Sequence, residues 1–112
     1  MSVDQPNVVD VIGLNKQTGE VVLTISDHLD WSDSLSHQAI LQEKFNKYLA
    51  FVESGELLER YPDARNRKVV FEVVFMFRPD GEAVRFLARA REVIESAGFA
   101  LQHKVFAESY DN

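Results

Sequence analysis

A chain of 112 residues, 46% hydrophobic and 27% charged, has enough apolar material for one domain with its own core and too much to stay disordered. It contains no cysteine, which excludes disulfide scaffolds, cysteine-ligated zinc and thiol nucleophiles. With 18 acidic against 12 basic residues the formal charge is −6, a balance that suits solubility rather than neutralisation of phosphate backbones, so no nucleic-acid partner is expected.

The opening MSVDQPNVVD lacks the basic and apolar regions of a secretory signal, and no later run approaches the length of a membrane span. The expectation is a cytoplasmic protein with no membrane contact, folded as a single domain over residues 1–112, with tails at 1–6 and 108–112. Val8 to Leu14 reads as a short strand, Asn15 to Gly19 as a polar turn, and Glu20 to Ser26 as a second strand with Val21, Leu23 and Ile25 on one face. Together they predict a β-hairpin. Asp27 to Asp33 follows as a polar loop, and Asp33 or Ser34 is placed to cap a helix. Leu41, Phe45, Tyr48, Leu49 and Val52 recur at helical spacing and predict an inward stripe that ends at Ser54-Gly55. A short helical turn over Glu56 to Tyr61 is stopped by Pro62, and PDARNR reads as a loop.

Lys68 to Phe77 is the strongest strand, with Val69, Phe71, Val73, Phe75 and Phe77 making one continuous apolar face. Its other face carries Val70, Val74 and Met76, interrupted by Glu72; a strand apolar on both sides is central, or covered on its second side. Pro79-Asp80-Gly81 turns the chain with Asp80 as a cap. Ala83, Phe86, Leu87, Ala90, Val93, Ile94 and Ala97 mark a second amphipathic helix, closed by Gly98. Phe99 to Phe106 is the last strand. The order β-β-α-β-α-β predicts an α+β two-layer sandwich: a four-stranded mixed sheet with two helices on one face.

That arrangement leaves a sheet face without helices. Val70, Val74 and Met76 lie on it, and a two-fold homodimer is the simplest way to cover such a row. Glu72 on the same row argues against a dry interface there. A helix crossing to this face would make a three-layer monomer instead.

The candidate ligand or partner contacts are Asp27, His28, Asp30, Trp31, Asp33 and His37. Oxygen ligands with an added imidazole suit a divalent cation, but the spacing fits neither an EF-hand loop nor a His-Glu-x-x-His helix, so no metal site is assigned. Capping and solvation explain the same residues. Trp31, the single tryptophan, could anchor a partner, but the favoured reading is a plug between sheet and helix. His103 alternates with Leu101 and Val105, which predicts a partly buried structural histidine. No Ser-His-Asp order, P-loop or Gly-x-Gly-x-x-Gly run occurs, so no cofactor is implied. The basic cluster Arg60, Arg65, Arg67 and Lys68, mixed with Glu59 and Asp63, reads as a solvated loop. Glu82, Arg85, Arg89 and Glu92, with Arg91 and Glu95, read as the solvent face of the second helix.

Several blocks, TGEVVLTISDHLDW, LQEKFNKYLAFVESGE and YPDARNRKVVFEVVF, with a helix ending in ESAGF, resemble a family of small bacterial proteins of the domain-of-unknown-function 6572 type. The resemblance runs from about Val8 to Val105. It implies a bacterial, stand-alone domain and carries no catalytic residues over. Two functional expectations stand: a non-enzymatic protein-interaction module, an adaptor or an immunity- or antitoxin-like partner; or a metal- or small-ligand-dependent enzyme built on Asp27, His28, Asp30 and His37.

Overall fold

Asn15 organises the first turn. Its side-chain oxygen accepts from the backbone N–H of Gln17 at 3.0 Å and of Thr18 at 3.3 Å, while its carbonyl accepts from Gly19 at 2.7 Å. In this computed structural model, which describes residues 11–106, that turn joins strand β1 (Val11–Leu14) to β2 (Val21–Asp27) as the expected antiparallel hairpin. The start of the first strand at residues 8–10 and both expected tails lie outside the described residues.

Helix α1 (Ser34–Glu53) begins where Asp33 accepts from the N–H of Ser36, as the capping pattern predicts. A five-residue helix α2 (Glu56–Arg60) follows, and Pro62 opens a 3-10 turn over Pro62–Ala64 where the sequence suggests a plain loop. Proline suits that position because its missing N–H would be unpaired in a first turn. Strand β3 (Val69–Phe75), helix α3 (Gly81–Ser96) capped by Asp80, and strand β4 (Ala100–Val105) complete the chain.

The sheet order is β1-β2-β3-β4, with β2, β3 and β4 parallel. Both parallel crossovers step the same way across the sheet, and connections of the usual right hand lay α1 and α3 on one face. Phe45 of α1 stacks on Phe86 of α3 with ring centroids 6.2 Å apart, and Tyr48 meets Phe71 of the sheet edge-on at 5.7 Å. The register puts Val21, Leu23 and Ile25 beside Val69, Phe71 and Val73, and these side chains form the buried floor beneath the helices. The molecule is the two-layer α+β sandwich expected from the element order.

Two expectations need correction, and one is refined. The apolar face of β3 stops at Phe75, because β2 ends opposite it at Asp27 and the Met76 N–H to Asp27 carbonyl bond at 2.8 Å is the last across that pair. Phe77, expected on the core face, is therefore 48% exposed. The inward stripe of α1 contains Phe51, with Leu49 and Val52 only half-buried, and it includes two polar members, His37 and Lys44. The Lys44 ammonium stands 5.5 Å from the centre of the Tyr48 ring, and the Tyr48 hydroxyl donates to the Thr24 carbonyl at 2.9 Å. Finally, His103 has the parity of Leu101 and Val105 but is more open to solvent than either, retaining only partial burial. Its ring meets Phe75 edge-on at 5.7 Å; partial burial and the neighbouring Arg91 hold its pKa below the usual imidazole value. Arg91 itself reaches β4, donating to the Leu101 carbonyl at 3.2 Å.

Gly98 has φ 97° and a Cβ built there would meet nothing within 4 Å, so a side chain at this helix end is opposed by backbone conformation alone. Gly98→Val should cost about 1–2 kcal/mol, the scale of forcing an L-residue into the left-handed region. Gly13→Ala, equally uncrowded and without a positive φ, should cost nothing measurable. Urea denaturation of the two variants checks the contrast.

Candidate functional site

Strand alternation decides the first feature of the site. Asp27 follows Val21, Leu23 and Ile25 on the helix-covered face, opposite Phe75 of β3, and is 2% exposed. It is the last residue of a strand, not the first of a polar loop. A carboxyl group taken from water there needs hydrogen-bond partners. One oxygen accepts from the Leu29 N–H at 3.1 Å, and the other lies 2.5 Å from Nε2 of His37, itself 2% exposed in the first turns of α1.

The second ring nitrogen of His37, Nδ1, is 2.9 Å from the Asp30 carbonyl. A carbonyl only accepts, so Nδ1 carries a proton. Trp31 then lies on the imidazole, with ring centroids 3.6 Å apart and planes inclined by 20°. Its indole N–H donates to the Phe77 carbonyl at 3.1 Å, and its ring approaches Phe75 at 5.8 Å. Trp31 is the plug expected of it, set over the Asp27–His37 pair. The contacts run from the end of β2 through α1 and the loop to the segment after β3.

The exposed carboxylates shape the same edge of the sheet. Asp30 accepts from the Ser32 hydroxyl at 2.6 Å and the Ser32 N–H at 3.1 Å, bonds that hold its pKa below the usual carboxyl value. Asp33 caps α1. Asp80 accepts from the Ala83 N–H at 2.8 Å and from the Ser34 hydroxyl at 3.3 Å, which links the start of α3 to the start of α1. By contrast, burial pushes the Asp27 carboxyl pKa up, against the lowering effects of the His37 hydrogen bond and charge, the Leu29 N–H and nearby His28.

Two hollows flank this edge. An open depression of about 480 Å3 is lined by His28, Asp30, Ser32, Asp33, Ser36, His37 and Phe77 among others. A second, of about 200 Å3, lies towards the helix-free face between Ser26, Asp27, His28, Val74, Met76 and Phe106. His28 lines both. The structure thus gathers all six expected contact residues at the carboxyl end of the parallel strands, where α/β sheets bind their ligands, but Asp27 and His37 are consumed in an internal pair. Among the described residues no group of three or more His, Cys, Asp or Glu is placed to hold a metal ion. Absent from the contact residues expected at this edge are Met76, expected instead on the dimer face, Phe77, expected in the core, and Phe106, which are 49%, 48% and 42% exposed. The signal available for the first two was Pro79, which limits how far a strand can run past Phe75.

On the helix-free face, Val70 is buried at 2% exposure, Val74 is half-buried, and Met76 lies just beyond the strand. Glu72 between the two valines accepts from Gln102 at 2.8 Å and lies 3.9 Å from Lys104. Two members of the basic cluster are also engaged internally. Arg67 donates to the carbonyls of Asp63 at 2.7 Å and Gly19 at 3.1 Å, and Arg60 pairs with Glu56 at 3.0 Å and stands over the Phe51 ring.

The model of a family of unknown function, DUF6572, matches residues 1–107, and the chain belongs to that family. No curated protein and no solved structure matches it. Among the described residues no helix is long and apolar enough to cross a membrane.

Asp27→Leu would leave Nε2 of His37 facing hydrocarbon and should cost about 1–3 kcal/mol, the scale for a buried polar group without a partner. Asp27→Asn should cost clearly less, because its amide can donate to Nε2 while its oxygen still accepts from Leu29. Denaturation midpoints of both variants check this; equal losses would mean that the pair contributes only through shape.

Proposed function

We propose that this DUF6572 member is a non-enzymatic protein-interaction module of the bacterial cytoplasm, an adaptor or an immunity- or antitoxin-like partner, docking through the carboxyl edge of its sheet. The observation that carries this reading is the exposure of Met76, Phe77 and Phe106 around two adjoining hollows, Phe77 beside Asp30 and Asp33 in the larger, Met76 and Phe106 beside His28 in the smaller. Apolar side chains surrounded by charge are the usual composition of a protein contact, an apolar centre within a polar rim. The chain's charge of −6 favours a partner presenting apolar residues among lysines and arginines.

The enzyme alternative has less support. A general base needs a ring nitrogen or carboxylate oxygen directed at substrate, and both nitrogens of His37 and both oxygens of Asp27 are engaged within the chain. The remaining acids of the loop cap helices or brace turns. Their arrangement serves a shaped surface better than a reacting centre.

The test is recovery of partners from a lysate of the native host on immobilised protein, comparing the wild type with a Met76→Lys/Phe77→Ser double variant. A specific partner that binds the wild type, weakens with salt and is lost with the double variant is the expected result. Retention of every partner by a folded double variant would move the contact surface elsewhere.

Self-association belongs to the same proposal. Of the expected row, Val74 and Met76 are open to contact on the helix-free side of the sheet while Val70 is buried within the chain, and a second copy covers such a face with one self-complementary patch. Glu72 is no obstacle to this, because Gln102 and Lys104 of the same chain already attend its carboxylate. Sedimentation at micromolar concentration should show a dimer of the 12.8 kDa chain, reverting to monomer in Val74→Lys. A wild-type monomer would remove self-association and leave the docking edge untouched.

A further inference from the structure

We propose that the Asp27–His37 pair is a proton-operated clasp for the β2–α1 loop, closed while one proton lies between the carboxylate and Nε2 and released when rising pH removes it. The geometry carries the argument. Because Nδ1 donates to the Asp30 carbonyl, only one tautomer of a neutral His37 fits, and its Nε2 then presents a lone pair to the Asp27 oxygen 2.5 Å away. A lone pair and a carboxylate at that distance repel unless a proton lies between them. With the proton present, Asp27, His37 and the Asp30 carbonyl form one connected line of hydrogen bonds. Without it, the buried carboxylate faces a lone pair in a site almost closed to water.

The sign follows from burial. The Asp27 carboxyl is raised above its ordinary value, so its contribution to the fold is present at pH below the unfolded carboxyl value and lost as pH rises through the folded one. Few other groups compete for the proton. His28 is the neighbouring imidazole, Asp30 and Asp33 are the loop carboxylates, Asp80 lies across at the start of α3, and β3 presents Val73 and Phe75 on this face. Release acts on more than one side chain. Trp31 is stacked on His37 and bonded to the Phe77 carbonyl, so moving the imidazole frees the indole and with it the tie between the two loops. This inference stands on the buried pair and does not depend on the docking reading.

Trp31 is the single tryptophan, which makes the clasp self-reporting. Its emission should be followed in the intact protein from about pH 4 to pH 9, a span that runs upward from the ordinary carboxyl value. The expected result is one reversible red shift with rising pH as the indole leaves the imidazole for water. Asp27→Asn, whose amide donates to Nε2 without a titrating proton, should stay at the clasped emission throughout, and His28→Gln should still show the step, moved slightly to higher pH by loss of the neighbouring imidazole. A flat wild-type profile, or a shift that persists in Asp27→Asn or disappears in His28→Gln, would overturn the proposal. If Asp27→Asn does not fold, the ring nitrogen resonances of His37 in the wild type decide. A change at Nε2 tracking the emission step supports the clasp, and an Nε2 signal unchanged across that step overturns it.

Discussion

A carboxyl group that strand alternation turns towards a helix layer must find its hydrogen bonds inside the protein, and the carboxyl end of this sheet is arranged around that requirement at Asp27. Its partner has to come from α1, which brings His37 inward within the first turns of the helix. The other face of the requirement is the loop itself. His37 needs an acceptor for Nδ1, so the chain curls until the Asp30 carbonyl supplies it, and Trp31 is left directly over the ring. The position of the loop is therefore a consequence of burying one acid rather than of the loop's own preferences.

This explains which parts of the molecule could be read in advance. Local chemistry was legible: Asn15 in its turn, Asp33 and Asp80 as caps, Gly98 past the end of α3, and the alternation of Val21, Leu23 and Ile25 each depend on neighbours a few residues away. Continuing that alternation by one step reaches Asp27, yet its polarity assigns it to a loop. The contradiction between pattern and polarity was the signal, and only the distant His37 resolves it. Lys44 poses the same problem: it lies three residues after Leu41 and four before Tyr48, on the buried side of α1, with a side chain whose type argues for solvent. The ends of β3 were misjudged for a different reason. Hydrophobicity continues through Met76 and Phe77, but the partner strand does not, and a strand without a neighbour has no ladder to extend.

The six contact residues expected from the sequence are brought together, though in two different roles. Asp27, His37 and Trp31 form the support, while His28, Asp30 and Asp33 face the hollows. The apolar part of the surface comes from outside the loop, from the segment after β3 and from the chain after β4. A surface assembled from three separate stretches keeps its shape only while the contacts beneath it hold. Trp31 matters here because it bonds one stretch to another rather than because of its own exposed area.

The topology has a kinetic consequence. The central strand β3 pairs only with partners reached by a crossover: β2 across the 20-residue α1, and β4 across the 16-residue α3. Contacts of that sequence separation form later than a hairpin or a helix, since the intervening chain must first be ordered. Until they form, Val69–Phe75 is an unpaired segment, apolar on both faces, of the kind that seeds intermolecular β-structure. Glu72 is the one charged residue within it. In the finished sheet its carboxylate is attended by Gln102 and Lys104, but in the nascent chain it acts as a gatekeeper, placing a charge where two copies of the strand would otherwise stack.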